Sequence, residues 1–317
     1  MELPLELKQL LETEAEAIPP KRLISASGSL TRAYRDKSGA DAPLIASREE
    51  ALAYAVVRMP ATYGAAAAAL KSAAELYDGE VYSLLDAGAG CGAVGWAAKE
   101  IFPSIVSAVG VERDPRLSAL GEALMERGDY PLDFEWRRED LNLAALPAAD
   151  LVAASYVLNE LSPPKRRTLV ERLWAATGKM LVLVEPGTPA AFAGLLETRR
   201  LLLSLGAEIL APCPGNHDCP LPEDDWCHFT VRVPRSRLHK RLKGGDAPYE
   251  DEKYCFLAAA REGTKPCSAR VLRHPRIEPG RVALRLCTPD GVADRIVTAR
   301  DGKDFKRARK SNSGDRF

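Results

Sequence analysis

The chain has 317 residues, 46% hydrophobic and 28% charged, with 44 Lys+Arg against 44 Asp+Glu. This composition excludes a disordered or collagen-like chain and suits one large domain or two smaller ones. No window approaches the roughly 18 uninterrupted apolar residues of a membrane helix, and the acidic start MELPLELKQLLETEAEA is unlike a basic leader, which predicts a cytoplasmic protein with no membrane partner.

The first part, 1–80, reads as a helical cap. Its helices are expected at 5–18, at 47–59 where Pro60 stops it, and at 65–77 after a break at Gly64. From residue 82 short apolar runs alternate with helical stretches. Strands are predicted at 82–86, 107–112, 133–137, 150–155 and 179–185, and helices at 93–101, 115–127, 164–177 and 189–205. Strand and helix in alternation imply an α/β chain with a parallel, doubly wound sheet. A short strand at 207–211 leads into a turn-rich loop at 212–226, and strands at 228–235 and 254–261 complete the sheet as an antiparallel pair. The expected α/β domain is therefore 81–262, with a cysteine loop at 212–228. A small basic β extension follows at 263–317, with strands at 269–274, 281–287 and 292–298 punctuated by EPG and PDG turns.

The glycine loop LLDAGAGCG lies between the first strand and the next helix. Asp86 followed by Gly88, Gly90 and Gly92 lets a ligand approach the backbone closely. The D-x-G-x-G-x-G spacing is not the G-x-G-x-x-G of dinucleotide sites. It resembles the S-adenosylmethionine loop of class I methyltransferases, with Glu112 at the second strand end placed for the ribose hydroxyls and Asp140 for the adenine amino group. Cys91 within the loop reads as a small filler. The fourth strand is followed by SYVLNEL rather than the Asn/Asp-Pro-Pro-aromatic motif of amino-methylating enzymes, so Tyr156, Asn159 and Glu160 are only candidates for acceptor recognition and no catalytic group is assigned.

Seven cysteines without a secretory signal argue against a disulfide framework. Cys213, Cys219 and Cys227 stand as C-x5-C-x7-C in a proline-rich loop, without the C-x2-C knuckles usual for zinc. Three close cysteines and one distant one suit a [4Fe–4S] cluster, with Cys287 beside its turn as the fourth ligand. Cys267 is a spare candidate and Cys255 reads as core. A zinc site completed by His217 or His228 is the alternative.

Charge is unevenly distributed. Through His228 there are 22 Lys+Arg and 33 Asp+Glu; from Phe229 onward there are 22 and 11. Such a basic region is the footprint of a phosphate-backbone partner, carried here by Arg235, Arg237, Lys240, Lys306, Arg307, Arg309 and Lys310. The alternative is a solvated face docked on the acidic part of the same chain.

Several segments taken together resemble one family, the methyltransferase-like assembly factors of the small ribosomal subunit, known from mitochondria and with bacterial relatives. They are RMPATY at 58–63, LLDAGAGCGAVGWAA at 84–98, LNEL at 158–161, LVLVEPGTP at 181–189, APCP at 211–214, CPL at 219–221, WCHF at 226–229 and YEDEKYCFLAAAR at 249–261. The resemblance implies a class I methyltransferase fold binding S-adenosylmethionine. It also implies a [4Fe–4S] cluster on Cys213, Cys219, Cys227 and Cys287, and a basic end lying on small-subunit ribosomal RNA. The chain departs from the family at Ser313-Gly314-Asp315, where Trp-Gly-Asp is usual. Two expectations follow: an rRNA methyltransferase with a role in translation, or a non-catalytic assembly factor on the small subunit that uses cofactor and metal structurally.

Overall fold

The computed structural model describes residues 2–36, 45–128, 130 and 132–317. Residues 37–44 of the expected cap lie outside the described residues. The cap consists of α1 (Leu5–Glu16), α2 (Pro20–Asp36) and α3 (Arg48–Ala74). The sequence predicts a stop at Pro60 and a break at Gly64, whereas α3 runs through both as one helix of 27 residues. An internal proline removes a backbone hydrogen bond and costs about 3 kcal/mol. Burial offsets that cost, because α3 lies against its neighbours on nearly all sides, with Met59, Pro60, Tyr63 and Gly64 all buried. Gly64 also permits close packing: a Cβ there would stand 3.2 Å from Val233.

The α/β part follows in chain order as β1 (Ser83–Ala87), α4 (Ala93–Ile101), β2 (Ser107–Val111), α5 (Pro115–Arg127), β3 (Asp133–Arg137), β4 (Ala149–Ser155), α6 (Pro163–Ala176), β5 (Thr177–Pro186), α7 (Pro189–Ser204) and β6 (Glu208–Ala211). It closes with β7 (Phe229–Pro234), α8 (Arg237–Lys243) and β8 (Tyr249–Ala260). The sheet order is β3-β2-β1-β4-β5-β8-β6, with β7 also paired to β8. Strands β1 to β5 are parallel and β8 runs antiparallel to β5. Beyond its pairing with β5, the long β8 meets β6 with one half and β7 with the other.

Alternation along the strands produces two cores. Leu84, Leu151, Val182 and Phe256 face α3, α4 and α5; Leu85, Val152, Leu183 and Leu257 face α6 and α7. Apolar side chains on both faces explain why the central strands read as continuous hydrophobic runs.

A second sheet contains β9 (Arg270–Val271), β10 (Arg276–Glu278), β11 (Arg281–Thr288) and β12 (Gly291–Thr298), followed by α9 (Lys303–Ala308). Its order is β10-β11-β12, with β9 paired to β11. The strand expected at 269–274 shrinks to two residues. Ala308 and Phe317 join its core of Val282, Leu284, Leu286 and Val297, so the basic tail folds back onto the sheet. No helix among the described residues is long and apolar enough to cross a membrane.

Candidate functional site

The strand order reverses between β1 and β4, and ligands of open α/β sheets bind in the crevice at such a switch point. The glycine loop sits there. Gly88 and Gly92 have φ of +80° and +82°, a backbone region that L side chains rarely adopt. A Cβ on Gly88 would lie 2.5 Å from Val157, whereas one on Gly90 would meet nothing within 4 Å.

The loop is held from below by Glu112. One carboxylate oxygen accepts the Gly90 amide at 2.8 Å and the other accepts the Asp114 amide at 2.8 Å. Asp114 in turn caps α5 through the Arg116 amide and accepts the Ile45 amide at 2.6 Å, tying the cap to the loop. Burial raises the pKa of Glu112, opposed by the two amides.

Above the loop lies a cleft of about 720 Å³, within the range of roughly 300–1,000 Å³ typical of small-molecule sites. Gly88, Gly90, Glu112, Asp140, Tyr156, Asn159 and Glu160 all line it. Asp140 accepts the Asn142 amide, which holds its pKa below the usual carboxylate range. Two expected cofactor residues, Asp86 and Gly92, are not among the residues that line the cleft. Strand alternation turns Asp86 to the same side as Leu84, beneath α4, and a Cβ on Gly92 would strike Met125 at 2.5 Å. The Asp86 carboxyl is wholly buried at the Gly95 amide, and burial together with the Glu112 charge raises its pKa to about 7, opposed by that amide. The sequence reading missed Arg58 and Thr62 of α3, Lys165 and Lys243, which also line the cleft.

Two of the three acceptor-side candidates, Tyr156 and Asn159, are already engaged. Tyr156 is the one non-glycine residue with positive φ among the described residues, at 60°, and its hydroxyl donates to Glu252 at 2.8 Å. Glu185 accepts the amides of Leu158 at 2.8 Å and Asn159 at 3.0 Å. With its nitrogen turned inward, the Asn159 side chain donates to the Tyr156 carbonyl at 3.1 Å and to Glu185 at 2.8 Å. Glu160 is half-buried, and burial raises its pKa.

Cys213, Cys219, Cys227 and Cys287 line one pocket of about 40 Å³, walled by apolar side chains that include Leu221 and Phe256. A water needs roughly 10–15 Å³ on this measure, so the space suits a compact inorganic group and not an organic ligand. Cys213 follows β6, Cys227 precedes β7, and Cys287 arrives from β11. Burial and neighbouring cysteines raise the thiol of Cys227 well above its usual value, and that of Cys287 to about 12. Among the described residues no three His, Cys, Asp or Glu side chains stand in metal-holding geometry. The donor set itself, four soft thiols in a pocket with apolar walls, fits thiolate–metal chemistry.

The other cysteines and both histidines lie elsewhere. Cys255 donates to the Pro186 carbonyl in the core, and Cys267 is buried against the Ala269 carbonyl. His228 stacks on Trp226, and neither His217 nor His228 lines the pocket. Two arginines that the sequence reading passed over do line it, Arg199 of α7 and Arg270 of β9.

The seven basic candidates divide into two groups. Arg235 is half-buried and paired with Glu250 at 2.8 Å. Arg237 is exposed and Lys240 half-buried on α8, which packs against α2 and α3. Lys306, Arg307, Arg309 and Lys310 are exposed on and just after α9, against the second sheet. At the family departure, Ser313 bonds the Leu272 carbonyl and Gly314 packs on the Phe229 ring, leaving the tail anchored.

The sheet order, the antiparallel β8 and the loop at the switch point define a class I methyltransferase fold. Residues 48–317 match the family model described as mitochondrial small ribosomal subunit Rsm22, and the chain belongs to this family. It is 31% identical over 258 residues to the human mitochondrial ribosome assembly protein METTL17, covering 74% of this chain and 54% of that protein. It is 26% identical over 291 residues to the fission-yeast mitochondrial Rsm22-cox11 tandem protein 2, covering 74% of this chain and 38% of that protein. The chain thus spans about half or less of these relatives. Among solved structures, magnesium protoporphyrin IX methyltransferase from Synechocystis PCC 6803 with bound SAM aligns at 15% identity and a TM-score of 0.41, over 69% of this chain and 86% of that one.

Proposed function

We propose that this chain binds S-adenosylmethionine in the cleft, carries a [4Fe–4S] cluster on Cys213, Cys219, Cys227 and Cys287, and acts on ribosomal RNA of the assembling small subunit. The observation that carries the reading is the coexistence of two built sites: a cofactor-sized cleft over the Glu112-braced loop, and a separate pocket lined by all four cysteines. Glu112 and Asp140 would hold the ribose and adenine, and Gly88 and Gly90 would leave room for the cofactor beside the loop. The exposed cations on and after α9 would meet phosphates, with Arg237 and Lys240 as a second patch.

The engaged acceptor side favours the assembly-factor reading over catalysis. Tyr156 and Asn159 spend their polar groups on Glu252, Glu185 and the chain itself, which leaves Glu160 of the three candidates to orient a base. A bound cofactor and cluster would then act as structural supports of an RNA-binding body.

Protein purified without oxygen should be brown and contain about four irons per chain. Cys219→Ser should bleach it, whereas Cys255→Ser should keep the colour. Colourless wild-type protein with neither iron nor zinc would remove the metal reading. Incubation of immature small subunits with labelled S-adenosylmethionine separates the two classes: bound but untransferred cofactor supports the assembly factor, and stoichiometric methyl transfer to RNA overturns it in favour of the enzyme.

A further inference from the structure

The cysteine pocket contains two buried cations whose counter-charge is not supplied by any carboxylate. Arg199 is 3% exposed and Arg270 1% exposed, and neither forms a salt bridge among the described residues. Each guanidinium is half used. Arg199 donates to the carbonyls of Gly215 at 3.0 Å and His217 at 2.6 Å, while its Nε has no partner. Arg270 donates to Pro212, Ser72 and Gly314, each at 2.9 Å, while its Nη2 has no partner. A buried charge without an opposing one is strongly disfavoured, and four neutral thiols do not oppose it.

Thiolate–metal chemistry supplies the missing charge. Four thiolates around an oxidised [4Fe–4S] core form a dianion, which two guanidiniums neutralise. We propose that Arg199 and Arg270 are the counter-cations of the metal–thiolate group in this pocket, holding its charge and setting its reduction potential. This rests on the four-cysteine reading above. The arginines are positioning residues: they brace the cysteine loop through its carbonyls, and their charge stands in the pocket that the four cysteines line. Net charge and hydrogen bonds to sulfur are the levers by which a protein tunes such a cluster. One-electron reduction makes the group a trianion and moves no proton, so it depends most on both cations.

The test uses the full chain purified without oxygen as wild type, Arg199→Gln, Arg199→Lys and Arg270→Gln. Iron content, the midpoint potential in a dithionite titration followed by electron paramagnetic resonance, and the rate of metal release to excess chelator are measured. Each Gln variant should disfavour the reduced form at least tenfold, about 59 mV more negative for one electron, and release metal at least tenfold faster; Arg199→Lys should stay within threefold of wild type. Loss of iron in Arg199→Gln that Arg199→Lys restores supports the proposal equally. Gln variants with wild-type iron, potential and release rate overturn it while leaving the cluster reading intact. If Arg270→Gln fails to fold, Arg199→Gln decides, because its side chain holds only two loop carbonyls. A wild type holding zinc is judged by chelator release at the same threshold. A wild type holding neither metal removes the cluster reading and this proposal together.

Discussion

Replacing Glu112 with Ala tests the cofactor cleft most directly. The carboxylate does two things in the structure: it accepts the Gly90 and Asp114 amides at 2.8 Å each, and it lines the cleft. A hydrogen bond to a charged group contributes about 1.5–3 kcal/mol. Losing a ribose contact of that strength should weaken S-adenosylmethionine roughly 10- to 100-fold, given a factor of ten for every 1.4 kcal/mol. The same substitution frees two amides at the loop, so thermal stability should fall as well. Glu112→Gln separates the effects, because its amide oxygen can keep one loop bond while the charge is gone. Titration calorimetry reads the affinity and a thermal melt reads the loop. Affinity unchanged in both variants would remove Glu112 from the cofactor site and leave it as a loop brace alone.

Two further outcomes follow from buried or exposed charge. Asp86 ionises near pH 7 in the folded chain against about 3.9 unfolded, so its contribution to stability is full below pH 4 and is lost as pH rises through 7. Asp86→Asn should therefore gain on wild type by about 3–4 kcal/mol between pH 4.5 and 8 in paired denaturation curves, and parallel pH profiles would refute the assignment. For RNA, neutralising Lys306, Arg307, Arg309 and Lys310 together should flatten the salt dependence of small-subunit RNA affinity by about one unit per contact. Arg235→Ala should leave that slope unchanged, since Glu250 already occupies the guanidinium; an equal loss of slope would show that this ion pair opens for RNA.

The repeating part of the fold was legible because both faces of the sheet are covered, so each strand is a short apolar run and each crossover helix has its own period. Helix α3 was not. Pro60 and Gly64 are local breakers, and packing of α3 against α2, α4 and the distant strands β7 and β8 outweighs them. The glycine loop was legible in its spacing, yet spacing cannot say which way a strand residue faces, and Asp86 is not among the residues lining the cleft. The resemblance to a known family carried the cysteine set further than composition could, since Cys287 is separated from the loop by four strands and a helix. Arg199 was hidden in the helical run LLETRRLLLS, where an arginine reads as a solvated residue, and Arg270 in the short strand SARV. An unpaired cation is visible only once burial is known.

Arg270 also bears on the order in which the chain is completed. Its guanidinium gathers Ser72, Pro212 and Gly314, and its bond to Ser72 spans 198 positions of sequence. Cys213 and Cys287 are themselves 74 positions apart. During vectorial synthesis at roughly 5–20 residues per second, about 4–15 s separate the emergence of the first thiol from that of the last. The Rossmann-like sheet is nearly all made by then, whereas the cysteine pocket waits for strand β11 and the Gly314 turn. A nascent chain halted before those points has its glycine loop but no closed thiol pocket, so a metal held by all four thiols would be taken up only after β11 has been made.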